Sequence, residues 1–277
     1  MSRMNHSTRR LALVALTALT VAHVRPAGAT YRTLAELRAG PPVLEGARLG
    51  VTTRLEALER CRVLGFGSVL RERGQDGLVA VTPLKVGRIE WSIETDGEWA
   101  LLDTRTAQPL TVPSMYFGTR WVRPDPRGGD PRVVIPNHAV RVVGLIGIVS
   151  DMEAAVAALQ MPGPQKYTPV SLHFGDPFLL PDLDGIARES SIGSGWARLI
   201  APRSADSPCA AWRRPGFGRW IGIVLESDDL HATARWFDDN GVPWRVIDRG
   251  TPGIAVDPDH TGGVLIEFVS QGYRPQL

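Results

Sequence analysis

The chain has 277 residues, of which 43% are hydrophobic and 22% charged, and its net charge is +2. That length and balance describe a folded chain of one large or two smaller domains, able to bury a sizeable core. Basic residues are scattered rather than striped, so no nucleic acid partner is read, and two cysteines, Cys61 and Cys209, make neither a disulfide framework nor a zinc cluster.

At the N-terminus, Arg9-Arg10 precede an apolar run over residues 11–21, and Ala27-Gly28-Ala29 offers small residues at a peptidase spacing. These are the parts of an export signal, of the Sec or twin-arginine kind, over residues 1–29. An ordinary N-terminal helix or a misassigned start is the alternative, so the expected location is exported or cytoplasmic. The run is too short to span a bilayer comfortably, and no membrane partner is read.

A short helical stretch at 33–38 closes on Gly40-Pro41-Pro42. A strand at 49–51 follows. Thr53-Arg54-Leu55-Glu56 is a capping box. Leu55, Leu58 and Leu64 supply the apolar face of the helix it opens, and Gly65 ends that helix. Strands follow at 68–70, 78–81 and 89–93, with a turn at Gln75-Asp76-Gly77. Residues 138–203 repeat the plan. Their helix begins at the box Ser150-Asp151-Met152-Glu153, carries Met152, Ala155, Val156 and Leu159 on one face, and breaks at Pro162-Gly163-Pro164. Strands are read near 170–174, 177–180 and 196–200, and Ser190 to Gly195 as a small-residue loop. A third copy spans residues 217–270: a strand at 220–224, a helix over 228–240 ending at Gly241, and strands at 244–247, 254–256 and 264–269.

These are internal repeats. The stretches 65–77 and 241–253 are equal in length, and both contain Arg-Gly. Ile146-Gly147-Ile148-Val149 matches Ile221-Gly222-Ile223-Val224 letter for letter. A Pro/Gly-rich stretch at 123–137 marks the main boundary. The expected organisation is a first module at 30–122, that linker, and paired modules over 138–277.

These repeats, with the closing stretches Gly253-Ile254-Ala255-Val256-Asp257-Pro258 and Gly262-Gly263-Val264-Leu265-Ile266-Glu267-Phe268-Val269, resemble the vicinal oxygen chelate superfamily, the glyoxalase, bleomycin-resistance and extradiol-dioxygenase group. The resemblance implies an α+β fold of repeated βαβββ modules. Two pair into a curved, barrel-like sheet around a cavity, and the extra N-terminal module is left without a full partner. It further implies a site in which a His or Gln from each opening strand and a Glu from a closing strand hold a divalent cation.

Glu267 matches the closing-strand glutamate. The opening-strand ligands would fall at Leu145 and Trp220, which cannot bind metal, and the closing strand of the second module has no acidic residue. No cofactor is therefore expected, a divalent metal being the one the resemblance could supply. Glu267 shares a strand side with Leu265 and Val269, and is read either as a desolvated general base or as the partner of an arginine. His173 is the second catalytic candidate. Trp220, Phe174, Trp196 and Glu90 are the candidate cavity residues. His138 is weaker, and His231 and His260 read as surface. No nucleophile elbow, dinucleotide fingerprint or P-loop is present. Three functions stay open: binding a small organic molecule without metal; a lyase, isomerase or dioxygenase using Glu267; and a non-catalytic scaffold that forms a homodimer through the unpartnered first module.

Overall fold

The computed structural model describes residues 44, 46–71, 77–93, 99–102, 110–112, 119–122, 132, 134–160, 173–192, 194–213 and 218–276. The export-signal reading, the helix at 33–38, the turn at 75–76, the break at 162–164, the strand reading at 170–172 and most of the 123–137 linker lie outside the described residues.

The first module runs β1 (Gly46–Val51), α1 (Arg54–Val63), β2 (Val69–Leu70), β3 (Leu78–Pro83) and β4 (Arg88–Ile93). Three strands follow: β5 (Trp99–Leu102), β6 (Leu110–Val112) and β7 (Thr119–Val122). The second module is β8 (Ala139–Val149), α2 (Met152–Gln160), β9 (Phe178–Leu180), β10 (Gly185–Ile192) and β11 (Gly195–Pro202). A 3-10 turn at Pro208–Trp212 leads to the third module: β12 (Gly218–Ser227), α3 (Leu230–Asp239), β13 (Arg245–Asp248), β14 (Pro252–Val256), α4 (Pro258–Thr261) and β15 (Leu265–Ser270).

Two sheets result. The second and third modules share a curled eight-stranded sheet in the order β13-β14-β15-β12-β8-β11-β10-β9. In each module the opening and closing strands run parallel, and the two opening strands, β8 and β12, meet antiparallel at the centre. β10 is a full strand where a loop over 190–195 was expected. Its small residues Ser190 and Ser191 continue the ladder with β11, opposite Ala197 and Trp196.

The first module lacks a full partner, as expected, but three further strands extend its sheet. Its sheet has seven strands, β2-β3-β4-β1-β5-β7-β6. β5 crosses β1 antiparallel, as β12 crosses β8, and runs parallel to β7, as an opening strand does to its closing strand. The strands β5, β6 and β7 thus act as a reduced partner to the first module. Only residues 103–109 separate β5 from β6, and among the described residues this half carries no helix.

The modules share a common register. Thr53 and Asp229 cap their helices by accepting from the amide three residues on, and Asp151 accepts from Ala154 N in the same way. The cap at Asp151 stands one residue later than the Ser150 box predicts. Seven positions before each cap lies a glycine: Gly46, Gly144 and Gly222. Each sits against its closing strand, opposite Arg88, Trp196 and Leu265. A Cβ there would fall 1.8 Å from the Arg88 oxygen, 2.7 Å from the Trp196 ring and 2.4 Å from the Leu265 oxygen, so only glycine lets the strands approach. This register makes Gly144 the counterpart of Gly222. The letter-for-letter match at Ile146 to Val149 is therefore three positions out of phase.

Helix α1 also departs from expectation. Its buried stripe is Ala57, Arg60 and Cys61, continued by Leu64, while Leu55 is 75% exposed. The cap at Thr53 fixes the rotation of the helix, and this i, i+3, i+4, i+7 series then faces the sheet. Gly65 and Gly241 end α1 and α3 with left-handed φ of 71° and 65°, each followed by a residue bonded back into the last turn. Helix α2 buries Met152, Ala155 and Val156, as its spacing predicts.

One apolar cluster lies on the helix side of both sheets and includes Phe237 and Phe268 at 5.5 Å between ring centroids. The sheets join at Asn137, which is fully buried. Its Nδ2 donates to Leu64 O at 2.6 Å, and its Oδ1 accepts from Ala139 N at 3.0 Å. Among the described residues no helix is long and apolar enough to cross a membrane.

Gly222→Ala should destabilise the chain by roughly 1–3 kcal/mol in urea unfolding, because the added methyl meets backbone. Gly67→Ala, whose added methyl would have nothing within 4 Å of it, should change stability by no more than about 0.5 kcal/mol.

Candidate functional site

Strand alternation divides the eight-stranded sheet. Ile266 and Phe268 face the helices, whereas Leu265, Glu267 and Val269 face away, as predicted. The helix-free face also carries Ile146, Trp196, Ile200 and Val224. Set among these apolar side chains is a chain of buried charge.

Glu267 on β15 and Arg198 on β11 hold equivalent register positions, opposite Val224 and Ile146. Both are 0% exposed. Arg198 Nη1 donates to Glu267 Oε2 at 2.5 Å, and Arg249 Nη2 donates to Glu267 Oε1 at 2.9 Å. On its other side Arg198 Nε donates to Glu189 Oε1 at 2.8 Å. Arg249 continues to Asp182 through Nη1 at 2.7 Å and Nη2 at 2.9 Å. Asp182 also pairs with Arg245, whose Nε reaches Asp257 Oδ1 at 3.1 Å. The signs alternate along seven residues, so each buried charge has opposite neighbours.

Burial alone would raise the Glu267 pKa, but the adjacent Arg198 and Arg249 charges outweigh it and hold the carboxyl below its ordinary 4.5. Desolvation acts likewise on Asp182, and the Arg249 and Arg245 guanidinium groups overcome it. Arg198 is pushed up: burial opposes its charge, and Glu267 and Glu189 more than restore it. All three groups are therefore locked in their charged forms at neutral pH.

Asp182 has a second role. It follows β9, one outer edge of the sheet, and it binds Arg245 and Arg249, at either end of β13, the other edge. The two edges of the curled sheet are thus clasped by ion pairs. Residues 271–276 cross the same face. Tyr273 packs on Trp196 at 5.4 Å between centroids, its hydroxyl accepts from Arg198 Nη2 at 3.1 Å and lies 3.4 Å from Glu189 Oε1, and Gln276 N donates to Glu189 Oε2. Arg198 also lies 4.9 Å over the Trp196 ring. Beside Tyr273 an open depression of about 240 Å³ remains, lined in part by Arg141, Ser191, Trp196, Glu226 and Tyr273. Arg141 and Glu226 are cross-strand neighbours, ion-paired at 2.8 Å.

Of the residues singled out from sequence, the structure places Glu267 and Trp196 together. Trp220 and Phe174 pack with the helix-side cluster, on the opposite face of the sheet. A bulge between Trp220 and Gly222 interrupts the alternation that would have turned Trp220 inward. Glu90 is buried in the other sheet, at the register position of Glu267, and accepts from Arg48 Nε at 2.9 Å and Nη2 at 2.6 Å. His173, His231 and His260 are exposed, and His138 pairs with Asp228 at 2.9 Å on the surface. Arg198, Arg249, Glu189, Asp182 and Tyr273 were missed. A single arginine inside the apolar strand Trp196-Ala197-Arg198-Leu199-Ile200 was the available signal, since such a charge requires a buried partner.

The residues do not fit the metal centre that the resemblance implies. Both Glu267 oxygens are taken by guanidinium groups, and the equivalent closing-strand position holds the cation Arg198. Among the described residues no three His, Cys, Asp or Glu side chains gather as a ligand set.

No family model and no curated protein sequence matches the chain. Solved structures are similar. Methylmalonyl-CoA epimerase from Mycobacterium tuberculosis aligns at 16% identity over 51% of this chain and 95% of that one, with a TM-score of 0.42. Streptomyces coelicolor methylmalonyl-CoA epimerase in complex with 2-nitronate-propionyl-CoA aligns at 18% over 49% and 99%, with a TM-score of 0.40. A hypothetical protein from Bacillus halodurans C-125 aligns at 19% over 50% and 98%, with a TM-score of 0.37. The strand order and register define the fold: paired βαβββ modules in one curled sheet, a glyoxalase-like arrangement.

Glu267→Gln should cost about 3–5 kcal/mol at pH 7, because it leaves two buried guanidinium groups short of a charge. The lowered pKa sets the sign with pH: the carboxylate's contribution is complete above about pH 5 and is lost as pH falls through the lowered value. The gap between wild type and variant in urea unfolding should therefore narrow in acid. Asp182→Asn should loosen the clasp, read as faster amide exchange in β9 and β13 than in β8 and β12.

Proposed function

We propose that this chain is a small-molecule-binding protein of glyoxalase-like fold that works without the metal centre of its catalytic relatives, and that its ligand sits in the depression beside Tyr273. The carrying observation is the engagement of both Glu267 oxygens by Arg198 and Arg249. A carboxylate held charged between two arginines is a poor general base, because accepting a proton breaks both pairs. It also lacks a free oxygen for a cation. The depression supports the binding half of the reading. At about 240 Å³ it lies below the usual range of drug-sized pockets, and its lining combines aromatic surface, hydroxyls and an ion pair. Methylmalonyl-CoA, the ligand in one of the similar epimerase structures, is far larger than this space. The scaffold reading loses its premise, since β5 already occupies the free edge of β1.

The test has two arms. Elemental analysis of the purified full chain should find no stoichiometric divalent metal. One bound ion per chain that disappears in Glu267→Gln would overturn the metal-free half. Calorimetric titration with benzoate and with 4-hydroxybenzoate should detect binding to wild type that is abolished by Ser191→Trp, which fills the depression. Binding of neither compound, or binding indifferent to that change, would refute the ligand site.

A further inference from the structure

The helix-free face already holds one small aromatic molecule, and it belongs to the chain. Tyr273 lies in residues 271–276, which form no helix or strand after the turn at Gly272. Its ring enters a recess with features a binding site would need. Trp196 provides an aromatic wall, tilted 44° to the tyrosine ring. Arg198 Nη2 donates to the phenol oxygen at 3.1 Å, and Glu189 Oε1 stands ready to accept at 3.4 Å. The donor and the acceptor are fully buried and fixed in place, because Arg198 is also paired to Glu267 and Glu189 to Arg198. A hydroxyl attached to an aromatic ring satisfies both groups; a bare arene satisfies neither, and a carboxylate would face Glu189 with like charge. Tyr273 keeps its proton, its pKa being pushed up to about 12 chiefly by burial, so the chain presents a neutral phenol.

We propose that this recess is a subsite for a small neutral hydroxyarene and that Tyr273 is its resident surrogate, displaced when a free phenol binds. The proposal rests on the reading of the adjoining depression as a ligand site, which Tyr273 and Trp196 also line. Displacement merges the two spaces, so a phenol seated on Arg198 and Glu189 carries its ring substituents toward Arg141 and Ser191.

The test uses the full chain, with phenol and benzene as probes in calorimetry and thermal unfolding. Tyr273→Ala should bind phenol saturably and about tenfold more tightly than wild type, which must first release its own side chain. It should prefer phenol to benzene by a similar factor, reflecting hydrogen bonds to two charged groups. Phenol should also recover part of the unfolding temperature lost in the variant. No gain over wild type, or benzene binding as well as phenol, would overturn the subsite. If Tyr273→Ala does not fold, Tyr273→Phe serves: phenol should bind it more tightly than wild type, since the incoming hydroxyl regains partners the phenylalanine leaves open, and equal affinity overturns the proposal. Benzoate binding to wild type with no phenol gain in either variant removes only the subsite. No binding of any probe to any of the proteins removes the ligand site as well.

Discussion

The pair between Arg198 and Glu267 is the constraint around which the eight-stranded sheet is built. Each ion costs several kcal/mol to remove from water, and the loss is offset only where every neighbour is in place. Arg198 therefore requires Glu189 as well as Glu267, and Glu267 requires Arg249. Arg249 in turn draws in Asp182 from the far edge of the sheet. The pairing links β10, β11 and β15 to both outer edges and to residues 271–276. Among the described residues, ion pairs rather than strand hydrogen bonds link the two outer edges of this curled sheet. The same chemistry accounts for the functional reading. A site that would need a free carboxylate and an open coordination sphere instead holds guanidinium groups, and an open depression lies beside them.

The modular plan explains where these charges fall. Opening and closing strands meet in one register in each full module, fixed by a glycine that lets backbones approach and by a capping side chain seven residues later. Glu90, Arg198 and Glu267 share one register position in the three modules. In the first module the position keeps a carboxylate and pairs it with Arg48 across the strand. In the second it has become a cation, and in the third it has stayed an anion, so the two halves of the eight-stranded sheet neutralise each other across its centre. The strands β5, β6 and β7 preserve the crossing of opening strands and the parallel closing pair, which are the backbone interactions that extend a sheet.

Much of this was legible in the sequence. Helix boundaries at Thr53, Gly65 and Gly241 follow from capping chemistry that acts over a few residues, and the period-two placement of Glu267 follows from strand geometry. Local rules failed where distant groups decide. Leu55 looked like core because its helix has apolar residues on several sides, and the cap sets which side is buried. The Ile-Gly-Ile-Val match misled because the register depends on close approach to a closing strand some forty or more residues away. The strands β5, β6 and β7 went unread because each is only three or four residues long and gives no clear period. Glu189 directly precedes the run Ser190 to Gly195 that reads as a loop, and its partner Arg198 lies across a hairpin. Tyr273 was invisible for the same reason: its meaning comes from Trp196, Arg198 and Glu189, none of which is its neighbour in the chain.

The location of the charges also divides the molecule by its response to ionic strength. Counter-ions reach an exposed pair and weaken it, whereas a pair sealed behind the sheet keeps its attraction. At the join between the two sheets, beside the buried Asn137, the pair of Lys85 with Asp228 is of the accessible kind, with side chains 43% and 26% exposed. The centre of the eight-stranded sheet uses the sealed kind. Salt would therefore weaken this exposed pair while leaving the buried pairs of the helix-free face largely unscreened.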